Sequence, residues 1–517
     1  MIVNLKPKYY NPSFPIPNSF LSSSRYNTAI IMRTKPSRKT LCITTAVLLI
    51  GVPGCWHTLK PLPHGLTHSG EFQSAENVRF LCDQTGLDDT GTRKSDQQIF
   101  DAAFGLIGNA NRLIVADMFL FNAFLGAGTN TAPHRLLCEE LTAALVARKR
   151  AVPDLRIVLI TDPVNTVYGG LEPDHLKRLE AAGVEVVITR LDRLRDSNTA
   201  WSSIWRLLFK PWGNSAKGGW IPSPFGEGKV TLRSWLSLLN FKANHRKVLV
   251  ADDGGTWTAL VMSANPHDGS SAHSNVALVF SGTAAQEVLR TEQAVAAFSA
   301  GQAFAPFAAD ASPAPSSPSA QSPVRMQVVT EEAIADTVES LLNTATAGDT
   351  IDLVMFYLAD RAIIHSLKAA ARRGVSMRVV LDANKDAFGH EKNGMPNRQA
   401  ARELNAAGVP VRWAATRGEQ MHAKLLLVRR ADGTADLLLG SANFTRRNVR
   451  NYNLESDVRI AGRADTAPIS GAAAYVDRLW TNAGGRTFTT DYETFRDDSR
   501  WRTFLYRFQE ATGLCTW

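Results

Sequence analysis

Cysteine is scarce: Cys42, Cys55, Cys82, Cys138 and Cys515 are the five in 517 residues. That is too few for the disulfide framework of a small secreted module. No Cys/His cluster has zinc-ligand spacing, so a structural zinc module is excluded too. Long apolar runs are also lacking. Leu41 to Val52 spans about a dozen residues, short of the roughly 20 that comfortably cross a bilayer. Acid is the scarcer charge, 48 Asp and Glu against 57 Lys and Arg, for a formal net charge of +9. That excess favours an anionic partner, phospholipid or nucleic acid, without choosing between them. What is present is ample: 44% hydrophobic residues over 517 positions suffice for two folded domains.

Two short segments share one pattern. His245-Arg246-Lys247 heads the run Val248 to Asp252 and leads to Ser263-Ala264-Asn265; His422-Ala423-Lys424 heads Leu425 to Val428 and leads to Ser441-Ala442-Asn443. In a strand, residues two apart share a face, so each His projects with its Lys. A turn and a second strand bring Ser and Asn back beside them. A lone His-x-Lys matches by accident easily, but the His-to-Ser spacings are 18 and 19 residues. Brought face to face, the copies give two imidazoles, two ammonium groups and two amides around one volume.

That inventory suits a phosphodiester. One imidazole can attack phosphorus, while the other protonates the leaving alcohol and then deprotonates the incoming one. Lys247, Lys424, Asn265 and Asn443 place charge and donors on the non-bridging oxygens. The scheme calls for no metal and no cofactor.

With these motifs the chain resembles the phospholipase D superfamily, whose signature H-x-K-x4-D followed by G-S-x-N occurs twice. The resemblance runs from about residue 75 onward and is strongest over Gly440 to Arg447 and Asn453-Leu454-Glu455. It implies His245 and His422 as nucleophile and general acid/base, in an order left open. Lys247, Ser263, Asn265, Lys424, Ser441 and Asn443 become phosphate-binding residues, Asp252 the closing acid of the first motif, and Glu455 the carboxylate that orients its own half's histidine. Three departures stand out. Arg429 replaces the second motif's Asp, the nearest acid being Asp432. Met262 replaces the first half's Gly. At equal offset, Ala277 falls where Glu455 lies, leaving His245 without an orienting carboxylate.

The duplication reaches further. Leu113 to Phe119 mirrors Thr350 to Phe356, both buried-strand patterns. Helical stretches follow at Arg135 to Arg148 and Ala362 to Arg373, then strands Leu155 to Ile160 and Met377 to Leu381. Helices ending at Gly183 and Gly408 carry a stop signal. The expected fold class is α/β: two related α/β/α sandwich lobes forming one pseudo-twofold catalytic unit behind an N-terminal signal or anchor segment. The expected boundaries are residues 1–55 for extension and signal, 75–304 for the first lobe, 305–324 for an Ala/Pro/Ser linker, and 325–517 for the second. Both half-sites in one chain imply a monomer.

Gly183 to His245 is 62 residues and Gly408 to His422 only 14, so the first lobe carries an insertion, about 190–238. It holds Trp201, Trp205, Trp212, Trp220 and Trp235 with Arg206, Lys210, Lys217, Lys229 and Arg233. This composition fits either a lipid headgroup interface or a lid packed over the site. At the N-terminus, Arg33, Lys35, Arg38 and Lys39 precede the apolar run and Pro53-Gly54-Cys55. The pattern is that of a secretory signal and resembles a bacterial lipoprotein signal with Cys55 as lipidation point; a retained short anchor is the alternative. Met32 makes a better start for such a signal than Met1. The expectation is an envelope-anchored phosphodiesterase or phosphatidyltransferase acting on phospholipid at a membrane surface, phospholipase D- or cardiolipin synthase-like. A metal-independent nuclease and a degenerate lipid binder are the alternatives. His267, His273 and His390 read as loop residues.

Overall fold

The computed structural model describes residues 38–126, 134–301, 304–307, 323–387 and 390–517. Residues 1–31, Arg33, Lys35 and most of the proposed linker lie outside them. The chain divides into units 1–48 and 49–517; within the first, the described residues are helical, part of helix Arg38–Leu59. No helix among the described residues is long and apolar enough to cross a membrane.

The second unit is built on two sheets of matching design. The first lobe supplies β1 (Glu76–Leu87), β2 (Leu113–Met118), β3 (Arg156–Thr161), β4 (Glu185–Ile188), β5 (Lys247–Asp253), β6 (Thr256–Met262) and β7 (Asn275–Ser281). The second supplies β8 (Val324–Thr330), β9 (Thr350–Met355), β10 (Ser376–Leu381), β11 (Val411–Ala414), β12 (Lys424–Arg429), β13 (Thr434–Gly440) and β14 (Ser456–Arg463). Their seven corresponding strands are ordered β1-β7-β6-β5-β2-β3-β4 and β8-β14-β13-β12-β9-β10-β11, with Arg93–Asp96 added beside β1 in the first sheet and Gln73–Ser74 and Thr489–Asp491 added at the two edges of the second. Strand for strand the two sequences of neighbours are identical. So are the directions: β2-β3-β4 and β9-β10-β11 run parallel, and the remaining neighbours antiparallel. The duplicated α/β architecture expected from the sequence is present.

Alternation along the strands explains their burial on both faces. Val248 and Val250 of β5, with Leu425 and Leu427 of β12, enter one apolar core shared by the two sheets. Leu249 and Ala251 enter the core of the first lobe's outer face, where helices Ile99–Asn109 and Leu137–Ala151 pack. Leu426 and Val428 do the same against helices Glu332–Thr344 and Arg361–Arg372. With period 2, each strand serves two cores. The helices that follow β7 and β14, Thr283–Ala300 and Ala467–Thr481, also bury residues in the shared core. Gly183 and Gly408 each adopt positive φ, +87° and +81°, the left-handed stop that frees the chain to enter β4 and β11.

The lobes are also locked by charge. Arg246, lying between His245 and Lys247, is fully buried and reaches Glu292 at 3.1 Å and Glu331 of the second lobe at 2.7 Å. Glu331 in turn accepts the backbone N–H of Glu455 at 3.2 Å.

Candidate functional site

The site lies where β5 and β12 begin and where β2 and β9 end. Met118 pairs with Lys247 and Met355 with Lys424. Phe119 and Phe356, one residue beyond each strand, therefore sit beside the motif residues. The Phe119 ring lies 4.7 Å from the His245 ring and the Phe356 ring 4.9 Å from that of His422. Lys247 Nζ and Lys424 Nζ stand 4.9 and 5.1 Å from the same rings, and each donates to the carbonyl of its own motif His at 2.6 Å. Each Lys is thus aimed by its own strand and held against an aromatic face.

The lobes meet through two reciprocal backbone seams. His245 N–H donates to Leu454 O at 2.8 Å and Leu454 N–H to Ala243 O at 3.0 Å; His422 N–H donates to Ser274 O at 2.9 Å and Ser274 N–H to Gln420 O at 3.0 Å. Each histidine therefore faces the other lobe's returning strand. His245 Nδ1 lies 3.0 Å from Glu455, and His422 Nδ1 lies 3.1 Å from Asn275 Oδ1. The acceptors fix the tautomer, with Nδ1–H donating and Nε2 left for chemistry.

This exchange corrects the sequence reading twice. Glu455 orients the other half's histidine, not its own. Nor does Ala277 hold the matching place. Met262 pairs with Ala277 and Gly440 with Asp457, so Ala277 matches Asp457 and Asn275 matches Glu455. The second connecting loop is two residues longer, and an equal-offset comparison slips by that amount. His245 has its carboxylate, contributed across the interface; His422 has an amide.

The serines also land elsewhere than expected. Ser263 Oγ donates to Asn275 Oδ1 at 2.9 Å and accepts from Val276 N–H at 3.0 Å. Ser441 Oγ donates to Glu455 at 2.5 Å and accepts from Ser456 N–H at 2.9 Å. Both hydroxyls are engaged in holding the residues that hold the histidines, away from a phosphate-binding role. Asp252 is removed from the chemistry as well. Five residues past Lys247, roughly 17 Å along an extended strand, it accepts the backbone N–H groups of Asn111, Arg112 and Leu113 at 2.9–3.1 Å and anchors the start of β2. Its second-lobe counterpart Arg429 instead pairs with Asp352 at 2.9 Å.

His245, His422, Asn265 and Asn443 line one cavity of about 470 Å³. Asn443 Oδ1 has no hydrogen-bond partner among the described residues. His273, read as a loop residue, lines it too, its ring 5.8 Å from that of His422; the only sequence signal was its place two residues before Asn275. The insertion reaches the cavity through Phe225 and Leu238. It is fastened by Asp196, which pairs with Lys242 at 2.5 Å and with Arg206. Trp205 is buried and Trp201 stacks on Phe209 with centroids 5.9 Å apart, whereas Trp212 and Trp220 are 50% and 68% exposed. The insertion is therefore both a wall of the cavity and an exposed aromatic surface.

Burial sets the electrostatics. It brings the His245 imidazole down to about 4 despite Glu455, with Lys247 adding to the fall. His422 is held well below its ordinary range by burial, then by Lys424, His273, Lys247 and His245. Lys247 comes down to about 7 by burial, against the pull of Glu455 and Asp117, and Lys424 is lowered by burial and Lys247. Burial pushes Glu455 up, but His245, Lys247 and Asn448 together outweigh it and keep the carboxyl below its usual range. The site is thus a crowd of under-protonated bases around one carboxylate, which an incoming phosphodiester anion would recharge. Among the described residues no group of three or more His, Cys, Asp or Glu is placed to hold a metal ion.

Residues 338–480 match the family model described as cardiolipin synthase, PLD-like domain. Among solved structures, the chain is similar to phosphatidylserine synthase of Haemophilus influenzae Rd KW20, with 11% identity over 86% of this chain and 96% of that one, at a TM-score of 0.49. It is also similar to Nuc of Salmonella typhimurium, a phospholipase D family member, with 19% identity over 34% and 99%, TM-score 0.26. The yeast tyrosyl-DNA phosphodiesterase shares 11% identity over 76% and 91%, TM-score 0.38. None of the curated proteins matches the chain.

Proposed function

We propose that this chain is a phospholipase D-type enzyme that transfers the phosphatidyl group of a phospholipid to water or an alcohol through a covalent histidine intermediate, a reading supported by the match of residues 338–480 to the cardiolipin synthase, PLD-like domain. His245 is the nucleophile and His422 the proton carrier. The observation that carries the assignment is the unequal pairing: Glu455 on His245, Asn275 on His422. The imidazole that binds phosphorus gains positive charge, and a carboxylate on Nδ1 stabilises that charge where an amide does so far less.

Binding of the phosphodiester anion draws a proton from solvent onto His422 Nε2. In the first step His245 Nε2 then bonds to phosphorus, the phosphorus–oxygen bond to the headgroup breaks, and His422 Nε2–H gives that proton to the leaving oxygen. In the second, His422 takes the proton of the entering water or alcohol, whose oxygen bonds to phosphorus as the phosphorus–nitrogen bond breaks. Lys247, Lys424, Asn265 and Asn443 hold the non-bridging oxygens. A lipid is favoured as substrate by the apolar wall of the cavity, to which Phe119, Phe225, Leu238, Phe241 and Phe356 contribute; it suits the glycerol backbone and first methylenes of the chains.

For location, the reading is a membrane-anchored envelope protein with lipid on the Cys55 thiol, which is exposed. Intact-mass measurement of the membrane fraction tests this: a chain that keeps the residues before Cys55 and carries no lipid refutes it. For function, purified protein is incubated with phospholipid vesicles and, separately, with DNA in chelator. Headgroup release with phosphatidic acid or a transfer product is expected. DNA cleavage without either lipid product would replace the reading by a nuclease.

A further inference from the structure

Behind the motif residues the same cavity holds cationic side chains that the two-step scheme does not use. Arg447 is 8% exposed and lines the cavity. Its Nη2 donates to the carbonyl of Cys515, its guanidinium lies 5.1 Å from the Phe241 ring, and its Nε has no hydrogen-bond partner among the described residues. No carboxylate among the described residues lies within ion-pair distance of it. The other buried arginine among the described residues, Arg246, has two carboxylates. Lys392 lines the cavity too and donates to the Tyr357 hydroxyl, over whose ring its Nζ sits at 5.0 Å. Tyr357 follows Phe356, which packs on His422, and lines the same cavity as Arg447. Lys392 and Tyr357 thus stand on the His422 side of the cavity, and Arg447 reaches the same cavity beside Phe241. Burying a guanidinium with no carboxylate in ion-pair contact is unfavourable, and Glu510 acts on it only from beyond that distance, so the arrangement favours an added anion.

The first lobe offers no such unpaired cation: Pro266 to Ser274 contains neither Lys nor Arg, and Lys242, which also lines the cavity, is paired with Asp196. The asymmetry has a meaning in an in-line displacement. With His245 on one side of phosphorus, both the departing and the entering alcohol occupy the opposite side, beside His422.

Resting on the proposed function, we propose that Arg447, Lys392 and the Tyr357 hydroxyl form a second anion subsite, one that binds an acidic group carried by the leaving or the entering alcohol. The class of ligand is an alcohol bearing its own phosphate or carboxylate. The site thereby selects anionic partners over neutral ones.

The test uses the full chain and the variants Arg447→Gln and Lys392→Met. The acceptor arm gives a short-chain phosphatidylcholine donor with glycerol or sn-glycerol 3-phosphate. The leaving-group arm compares short-chain phosphatidylserine with phosphatidylethanolamine. Wild type is expected to prefer the anionic partner in at least one arm, and both variants to lower that anionic-to-neutral ratio at least fivefold; the arm that responds names the source. Calorimetric titration with sn-glycerol 3-phosphate, which needs no turnover, is expected to show weaker binding to both variants. Weakened binding without any phospholipid turnover by wild type would sink the proposed function and leave the subsite standing. Unchanged binding and unchanged ratios in Lys392→Met, whose partly exposed side chain makes misfolding no explanation, would overturn the subsite.

Discussion

Replacing Glu455 by Gln keeps the volume and removes one charge, so it isolates what the carboxylate does for His245. The side chain is fully buried and takes three hydrogen bonds, from His245 Nδ1 at 3.0 Å, Ser441 Oγ at 2.5 Å and Asn448 Nδ2. A Gln oxygen in the place of Oε2 can still accept from His245 and Ser441, but its amide then faces the Asn448 amide donor. The ground-state loss is the difference between a charged and a neutral hydrogen bond, about 1–2 kcal/mol. The transition state loses more, because the imidazole becomes cationic only there. Opposite unit charges about 4 Å apart at an effective dielectric of about 20 attract by about 4 kcal/mol, which sets the ceiling. A fall in kcat of about 10²–10³ follows. Asn275→Ala removes a neutral hydrogen bond from His422, about 1 kcal/mol, and should slow the reaction about fivefold. The assay is headgroup release from phospholipid vesicles, together with trapping of the phosphatidyl-histidine adduct by alkaline denaturing quench and peptide mass spectrometry. Adduct on His245, and a much larger loss for Glu455→Gln than for Asn275→Ala, are expected. Equal losses, or adduct on His422, would refute the argument that the carboxylate marks the nucleophile.

The remaining expectations concern charge. As pH falls from 7, Lys247 and His422 take up protons more readily and kcat/KM should rise, then drop on approach to about pH 4, where His245, which must be neutral to attack, is protonated. Glu455→Gln removes a group that raises His245, so that acid limb should move lower still. Lys247, near 7 in the free protein, loses its charge as pH rises through that value, so KM for phospholipid should climb above neutrality, as initial rates across pH 6 to 9 (roughly) would reveal. Anion binding should recharge these groups, and titration with a non-hydrolysable phosphodiester in buffers of different ionisation enthalpy should register proton uptake at pH 7; no buffer dependence would contradict it. Glu292→Gln leaves Arg246 with one carboxylate in a fully buried network and should cost roughly 3–5 kcal/mol of stability, read as a lowered urea midpoint.

How far the sequence went can be judged at particular residues. The repeated His-x-Lys and Ser-x-Asn were legible because strand periodicity is local: two residues along a strand return to the same face whatever the rest of the fold does. The parallel strands, the helices between them and their glycine stops were legible for the same reason. What failed was counting across a loop. Asn275 and Glu455 are structural counterparts, yet they stand 12 and 14 residues from their serines, and no local rule records where two extra residues were spent.

The sequence by itself thus determined the α/β halves, their duplication and the paired imidazoles and ammonium groups, since each follows from side-chain type and near-neighbour spacing. Only the tertiary structure decided that Glu455 serves His245 across the interface, that Asn275 serves His422, that Asp252 anchors a strand end, and that Arg447 lies buried without a carboxylate. These are contacts between segments up to 210 positions apart, fixed by how two sheets share one core, and pattern along a chain carries no measure of that.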